Sequence, residues 1–373
     1  MSKKVIITGV TGQFGSFMAD HLLKNTDYEI HGMVRRLSVE NHKNIKHLKT
    51  NPRFHLFSGD LTDGHSLQKS IEEIKPDYYI NAGAQSFVSE SWVTPVNTFI
   101  TDSVAIIHIL EAIRKIVPYC RFVNMGSSEQ FGDVQYSPQD INHPFRSRSI
   151  YAAAKVASHQ IVKVYRESYR LYAIQPISFN YEGIKPCEEF VTKKISKGVA
   201  RIYYALKNNQ PFDPIELGGY DSQRDWSDAE DVVDAAWRML NQETYNDDIR
   251  YELSLEVVDK WKCLISNIKE YIVSSGETHK IREFVEMAFR EAGITTGVWY
   301  KFSDKSEDEK FVDGRGGSPI YVQINSKFYR PAEVNLLCGD STPIRQELGW
   351  QPQTSFKELV KKMVDYDIKN YSE

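Results

Sequence analysis

Cysteine is scarce in this chain. There are four in 373 residues (Cys120, Cys187, Cys263 and Cys338), with no CxxC pair and no histidine cluster beside them. That argues against a disulfide scaffold, gives no metal site and suits a reducing compartment. An excess of one charge is also missing: 46 Lys+Arg stand against 50 Asp+Glu, a net charge of -4. Neither nucleic acid nor an anionic membrane is therefore an expected partner. Long apolar runs are absent near the start, where Met1-Ser2-Lys3-Lys4 leads into Val5-Ile6-Ile7 and stops at Thr8-Gly9. Such a run is too short for a signal peptide or a membrane span. Repeats and low-complexity tracts are lacking too. With 41% hydrophobic and 26% charged residues, the chain is expected to be a soluble, cytoplasmic enzyme. It is long enough for one large α/β domain or two domains sharing an interface.

In the first half, short apolar runs alternate with helical patterns. Strands are expected at Val5–Thr8, Glu29–Val34, Phe54–Gly59, Tyr78–Asn81 and Arg121–Met125, with helices over Ser16–Lys24 and Asp102–Val117. Near-continuous apolar strands in β-α-β order predict an α/β fold: a Rossmann-type, doubly wound parallel sheet with ligands at the carboxyl ends of its strands. Beyond Asn180 the pattern loosens. Helices are expected at Glu188–Ala205, Ser227–Leu240 and Ile281–Gly293, and a charged, Gly-rich mobile or insertion loop at Ser303–Gly317. This predicts a nucleotide-binding domain over 1–180. A smaller mixed α/β C-terminal substrate domain would cover 181–373, with some segments returning to the first.

The first strand runs into Gly9-Val10-Thr11-Gly12-Gln13-Phe14-Gly15, a GxxGxxG spacing ahead of a helix. Glycines there permit a tight turn and let backbone N–H groups approach a pyrophosphate at the helix N-terminus; an ordinary loop is the alternative. The second strand ends on Arg35-Arg36, which favours a 2′-phosphate where a carboxylate would repel it, so the pattern points to NADP rather than NAD. Asp60-Leu61, after the third strand, is placed to hold an adenine edge. Tyr151 and Lys155 lie four apart, on one helical face. An ammonium beside a phenol favours the phenolate, which can accept a hydroxyl proton while hydride leaves the same carbon. Ser127 follows the fifth strand and can hydrogen-bond the reacting oxygen. Glu129 is a carboxylate that simple hydride transfer does not need.

Together the glycine turn, Ser127 and the YxxxK helix resemble the extended short-chain dehydrogenases/reductases of nucleotide sugars. Within them, the chain is similar to the GDP-mannose 4,6-dehydratases at Ala84-Gln85-Ser86, Ser127-Ser128-Glu129, Phe190 to Ile195, Arg224-Asp225-Trp226, Ser275 to His279 and Tyr329 to Val334. The resemblance implies that Tyr151 is the base for C4 oxidation and Lys155 its partner at the cofactor ribose. Ser127 would stand for a usual threonine, and Glu129 would take the C5 proton and expel the C6 hydroxyl as water. Gly9, Thr11, Gly12, Gln13, Phe14, Gly15, Arg35, Arg36, Asp60, Leu61, Ala82, Ala84 and Gln85 would hold NADP. Ser86, Asn180, Val191, Lys194, Arg224, Arg330 and Glu333 would join Ser127 and Glu129 on a GDP-sugar, mannose or a relative such as a manno-heptose.

A homodimer or homotetramer is implied as well. Phe14 stands for a usual acidic residue. Tyr181 and Pro186 depart from a loop that contacts cofactor across subunits, where Lys185 offers a substitute charge, and Leu255–Ile272 is longer than the family's connection. Because Glu129 also suits the related 4-keto-sugar reductases, a GDP-4-keto-6-deoxy-sugar reductase or epimerase is the alternative enzyme. A non-catalytic nucleotide sensor is the third reading, opposed by the intact Tyr151, Lys155, Ser127 and Glu129.

Overall fold

In the computed structural model the described residues are 2–38, 41–242, 268–303, 308–329, 334 and 336–371. The apolar runs of the first half form six parallel strands: β1 (Lys4–Thr8), β2 (Glu29–Val34), β3 (Phe54–Ser58), β4 (Tyr78–Asn81), β5 (Arg121–Asn124) and β6 (Ala173–Ile174), in the order β3-β2-β1-β4-β5-β6. Side chains alternate between the two faces, so both must be covered. Val5 and Ile7 join a core with helices α1 (Gln13–Asn25) and α7 (Ala229–Leu240). Ile6 points the other way, into a core with α2 (Gly64–Ile74), α4 (Ala105–Ile116) and α5 (Ile150–Tyr169). From β1 the chain goes first to β2 on one side and later to β4 on the other. This reversal opens a crevice at the strands' carboxyl ends.

The helix expected from Asp102 starts earlier: α3 (Pro95–Phe99) runs through a π turn at Ile100–Val104 into α4. By length and composition Pro95–Ile116 could cross a membrane, but half of it is buried. The segment read as a helix from Ser227 opens instead as a strand, β11 (Trp226–Asp228), whose last residue caps α7 through the Glu230 N–H (2.9 Å).

In the second half, helices α6 (Val191–Lys207), α8 (Ile281–Glu291) and α10 (Phe356–Lys369) cover a sheet of β14 (Gly297–Lys301), β15 (Glu309–Asp313), β16 (Ile320–Ile324) and β9 (Ile215–Leu217). Most of the described part of the expected loop at 303–317 is thus corrected to a strand and its turn. Phe311 and Val312 are buried there, while Asp313 pairs with Arg315 (2.7 Å), so the charges that looked loop-like border a hairpin. The described part of the long connection resumes at Ile268 and includes β12 (Ile272–Val273), which pairs with β7 (Ile177–Ser178); residues 255–267 of that expectation lie outside the described residues. Ile344 and Trp350 return to the first core.

Candidate active site

At the strands' carboxyl ends lies a cleft of about 1810 Å³. Every site residue expected from the sequence lines it, except Arg330 and Glu333, which fall outside the described residues. Gly9, Thr11, Gly12, Gln13, Phe14 and Gly15 form its floor between β1 and α1. Gly9 sits at φ +65°, and a Cβ there would meet Gly83 N at 2.6 Å; one on Gly15 would meet Gly9 O at 2.4 Å. The turn therefore leaves no room for side chains and presents backbone at a helix N-terminus, which suits a pyrophosphate. Arg35 and Arg36 are exposed at the mouth after β2. Asp60 uses one carboxylate oxygen to fix its own turn, accepting from the N–H and hydroxyl of Thr62 (both 2.8 Å), with Leu61 buried beside it. Ala82, Ala84, Gln85 and Ser86 follow β4 along the wall.

Ser149 caps α5 by accepting from the Ala152 N–H (3.1 Å), which starts the helix just before Tyr151. Lys155, one turn on, donates to the Met125 carbonyl (2.9 Å), with its Nζ 5.7 Å from the Tyr151 ring centre. Burial lowers the Lys155 pKa, opposed by the charge of Asp102. Burial, and next the charge of Asp102, push the Tyr151 phenol well above its ordinary value, while a hydrogen bond with Ser127 pulls the other way. In the protein alone these surroundings favour the neutral phenol. Ser127 Oγ accepts from the Glu129 N–H (3.2 Å) and so anchors the turn that presents Glu129.

Across the cleft, Asn180 opens β8 (Asn180–Glu182) with a buried Oδ1 that has no hydrogen-bond partner. Val191 and Lys194 lie in the first turn of α6, an N-terminus with no side-chain cap and no acidic residue. The Lys194 ammonium sits over Phe328, 3.2 Å from the ring centre, and burial followed by the neighbouring Lys327 lowers its pKa. Arg224 is buried and donates to the Gln223 carbonyl (2.9 Å).

Several residues in or behind the cleft wall escaped the sequence reading as site residues. Asp102, read only as a helix start, is buried on the π turn, accepts from the Gln85 N–H (2.8 Å) and is pushed up to about 6 by burial. Glu182 lines the cleft, and burial pushes it to about 7 against the Thr192 hydroxyl. Phe328 and Tyr329 line it too. A carboxylate inside an apolar helix was the available signal for Asp102; for the others only tertiary burial tells. Of the departures, Phe14 packs against Tyr181 (centroids 6.1 Å), and Lys185 is bound within its own chain by Asp20 (2.7 Å).

The sheet order, the glycine turn and the Tyr151–Lys155 helix on one cleft define an extended short-chain dehydrogenase/reductase. Solved structures agree on the fold, which is all that likenesses below 25% identity carry. A dTDP-glucose 4,6-dehydratase from Streptomyces venezuelae with NAD and TYD bound matches at TM-score 0.74 and 18% identity, over 98% of this chain and 97% of that one. RMD from Pseudomonas aeruginosa complexed with NADPH matches at 0.71 and 19%, over 99% and 100%. The family model for GDP-mannose 4,6 dehydratase matches residues 6–255 and 251–363. The GDP-mannose 4,6 dehydratase of Drosophila melanogaster is 40% identical over 98% of this chain and 86% of its own length. Its namesake from Vibrio cholerae is 36% identical over 99% and 95%. The chain belongs to the GDP-mannose 4,6-dehydratase family, a group of nucleotide-sugar hydro-lyases.

Proposed function

We propose that this cleft removes water from the sugar of GDP-mannose, or of a close GDP-sugar, with bound NADP neither gained nor lost over the cycle. The observation that carries this reading is the meeting of Tyr151, Lys155, Ser127 and Glu129 with the glycine turn and Arg35–Arg36 on one cleft. The turn from Gly9 to Gly15 would hold the pyrophosphate, Arg35 and Arg36 the 2′-phosphate, and Asp60 and Leu61 the adenine. Ala82, Ala84 and Gln85 would line the nicotinamide end. When bound, the nicotinamide accepts hydride from C4, returns it to C6, and in its oxidised form adds a positive charge that favours the Tyr151 phenolate.

Tyr151 takes the C4 hydroxyl proton, with Lys155 supporting the phenolate and Ser127 hydrogen-bonding the oxygen that becomes a ketone. The ketone acidifies the C5–H, whose proton passes to Glu129. Glu129 then gives that proton to the leaving C6 hydroxyl, and water departs; once hydride is back on C6, C5 takes up one proton, which balances the one that Tyr151 accepted and gives back. Ser86, Asn180, Val191, Lys194, Arg224, Arg330 and Glu333 hold the GDP-sugar; the cations pair with its diphosphate, which would relieve the crowding of Lys194 by Lys327.

Residues 1–180 carry the cofactor and most of 181–373 the substrate. The setting is the cytoplasm and the working unit a homo-oligomer. Exposed apolar side chains on and just before α3, and on α4 and α5, support that assembly: Val93 and Val96 are 74% and 70% exposed, and Phe99, Ile100, Ile107 and Val164 are exposed as well. Exposed apolar surface of this kind suits a partner.

The deciding experiment supplies GDP-mannose labelled with deuterium at C4, together with NADP. A 4-keto-6-deoxy product one water lighter, with the label at C6 and no net cofactor consumed, is the expected result. Stoichiometric loss of NADPH with a keto-sugar substrate would identify a reductase instead.

A further inference from the structure

Across the carboxyl ends of β1, β4, β5 and β6 runs an unbroken chain of neutral polar side chains. Thr8 Oγ1 donates to Asn81 Oδ1 (2.5 Å), Asn81 Nδ2 to Asn124 Oδ1 (2.7 Å), Asn124 Nδ2 to Gln175 Oε1 (2.6 Å) and Gln175 Nε2 to Gln130 Oε1 (3.2 Å). All five residues are at most 2% exposed. One end reaches the cofactor turn, since Thr8 precedes Gly9 and its Oγ1 accepts from the Gly83 N–H (3.1 Å). At the other end, Gln130 Oε1 also accepts from the Ser127 N–H (3.3 Å), closing a capping box with the Ser127 side chain. Gln175 Nε2 additionally donates to the Lys155 carbonyl (3.0 Å). The last two amides therefore grip both halves of the reacting constellation, the Ser127–Glu129 turn and the helix of Tyr151 and Lys155.

Apolar side chains could fill this volume without the desolvation that buried amides carry. What amides add is direction, because each bond fixes where its neighbour points. Gln130 and Gln175 do not line the cleft, so they touch neither substrate nor cofactor there. The Ser127 N–H bond is long for an amide, which makes the turn dependent on how well Gln130 is held from behind.

We propose that Gln130, aimed by Gln175 and Asn124, is a positioning residue that sets Ser127 and Glu129 against Tyr151 and Lys155. The proposal rests on the assignment of those four residues to the dehydration. In Gln130→Leu, whose side chain offers Ser127 no acceptor, kcat per folded molecule should fall on the order of 10²-fold, as expected of a misplaced turn. KM for the GDP-sugar and the Kd for NADPH should stay within about twofold of the unaltered protein. Hydrogen exchange should quicken over residues 125–131. Gln175→Met, farther along the chain, should move the same quantities in the same direction by less, and carries the test if Gln130→Leu does not fold. Unchanged kcat in Gln130→Leu, a parallel loss of kcat and cofactor affinity, or unchanged exchange over 125–131 would each overturn the proposal. If the unaltered protein dehydrates no GDP-sugar, the assignment itself fails, and the exchange result still decides whether Gln130 holds the turn.

Discussion

In the proposed reaction Tyr151 acts as a base from a setting that favours its acid form: burial and Asp102 raise it, and Ser127 opposes them. Lys155 is the fixed cation on the same helical face, so its removal should push the phenol higher still. In Lys155→Met the acidic limb of the rate profile should move to higher pH, with activity near neutrality down on the order of 10²-fold; kcat/KM measured across pH checks this. Glu129→Gln should keep nucleotide affinity and C4 oxidation but block water loss, seen as reduced cofactor that accumulates in a single turnover. Glu182 affects stability. Its carboxyl is raised from 4.5 to about 7, so the folded state holds the proton more tightly and stability falls as pH rises through that window. Glu182→Gln should flatten that slope, gaining on the order of 2 kcal/mol over the parent at pH 8 and little at pH 4, by urea unfolding. That Tyr151, Lys155, Ser127 and Glu129 face one cleft was legible from their local spacing after a strand. Asp102 and Glu182 were not, because their character comes from what the fold packs around them.

Among elements, the β1–α1 turn is the most constrained. In Gly15→Ala the added methyl would meet the Gly9 carbonyl at 2.4 Å, so α1 must shift. A loss on the order of 1–3 kcal/mol in stability is expected by thermal melting, together with weakened cofactor binding in a fluorescence titration. Five of the six Rossmann strands could be read from sequence nearly to the residue, since apolar runs buried on both faces leave little ambiguity; Tyr78–Asn81 is an example. The sixth, Ala173–Ile174, is only two residues long and went unread. The β14–β15 hairpin could not. In its second strand only Phe311 and Val312 are apolar, between Glu309-Lys310 and the buried Asp313, so the composition of that stretch mimics a loop. The run Pro95–Ile116 hid its true start behind the polar residues Asn97, Thr98, Thr101 and Asp102.

For the molecule as a whole, the exposed apolar side chains on and beside α3 give the clearest expectation. Val93→Glu with Val96→Glu places charges where a second copy would sit, and sedimentation should then report monomers while the parent does not. The last helix also ties the second half together and to the head of α7, which packs in the first core. In α10, Asp367 receives the Lys193 ammonium (2.5 Å) and the Ser196 hydroxyl (2.6 Å), both from α6 and almost sealed from water. Lys362 of α10 reaches the fully buried Asp228 at the head of α7 (2.7 Å). Shortening the chain ahead of Asp367 would strand an ammonium in the interior, a defect that typically costs about 3–5 kcal/mol. Lys193 sits one residue before Lys194, and both line the cleft, so the damage would surface at its wall. For anyone preparing this protein, a truncation should consequently leave Asp367 and the helix around it in place.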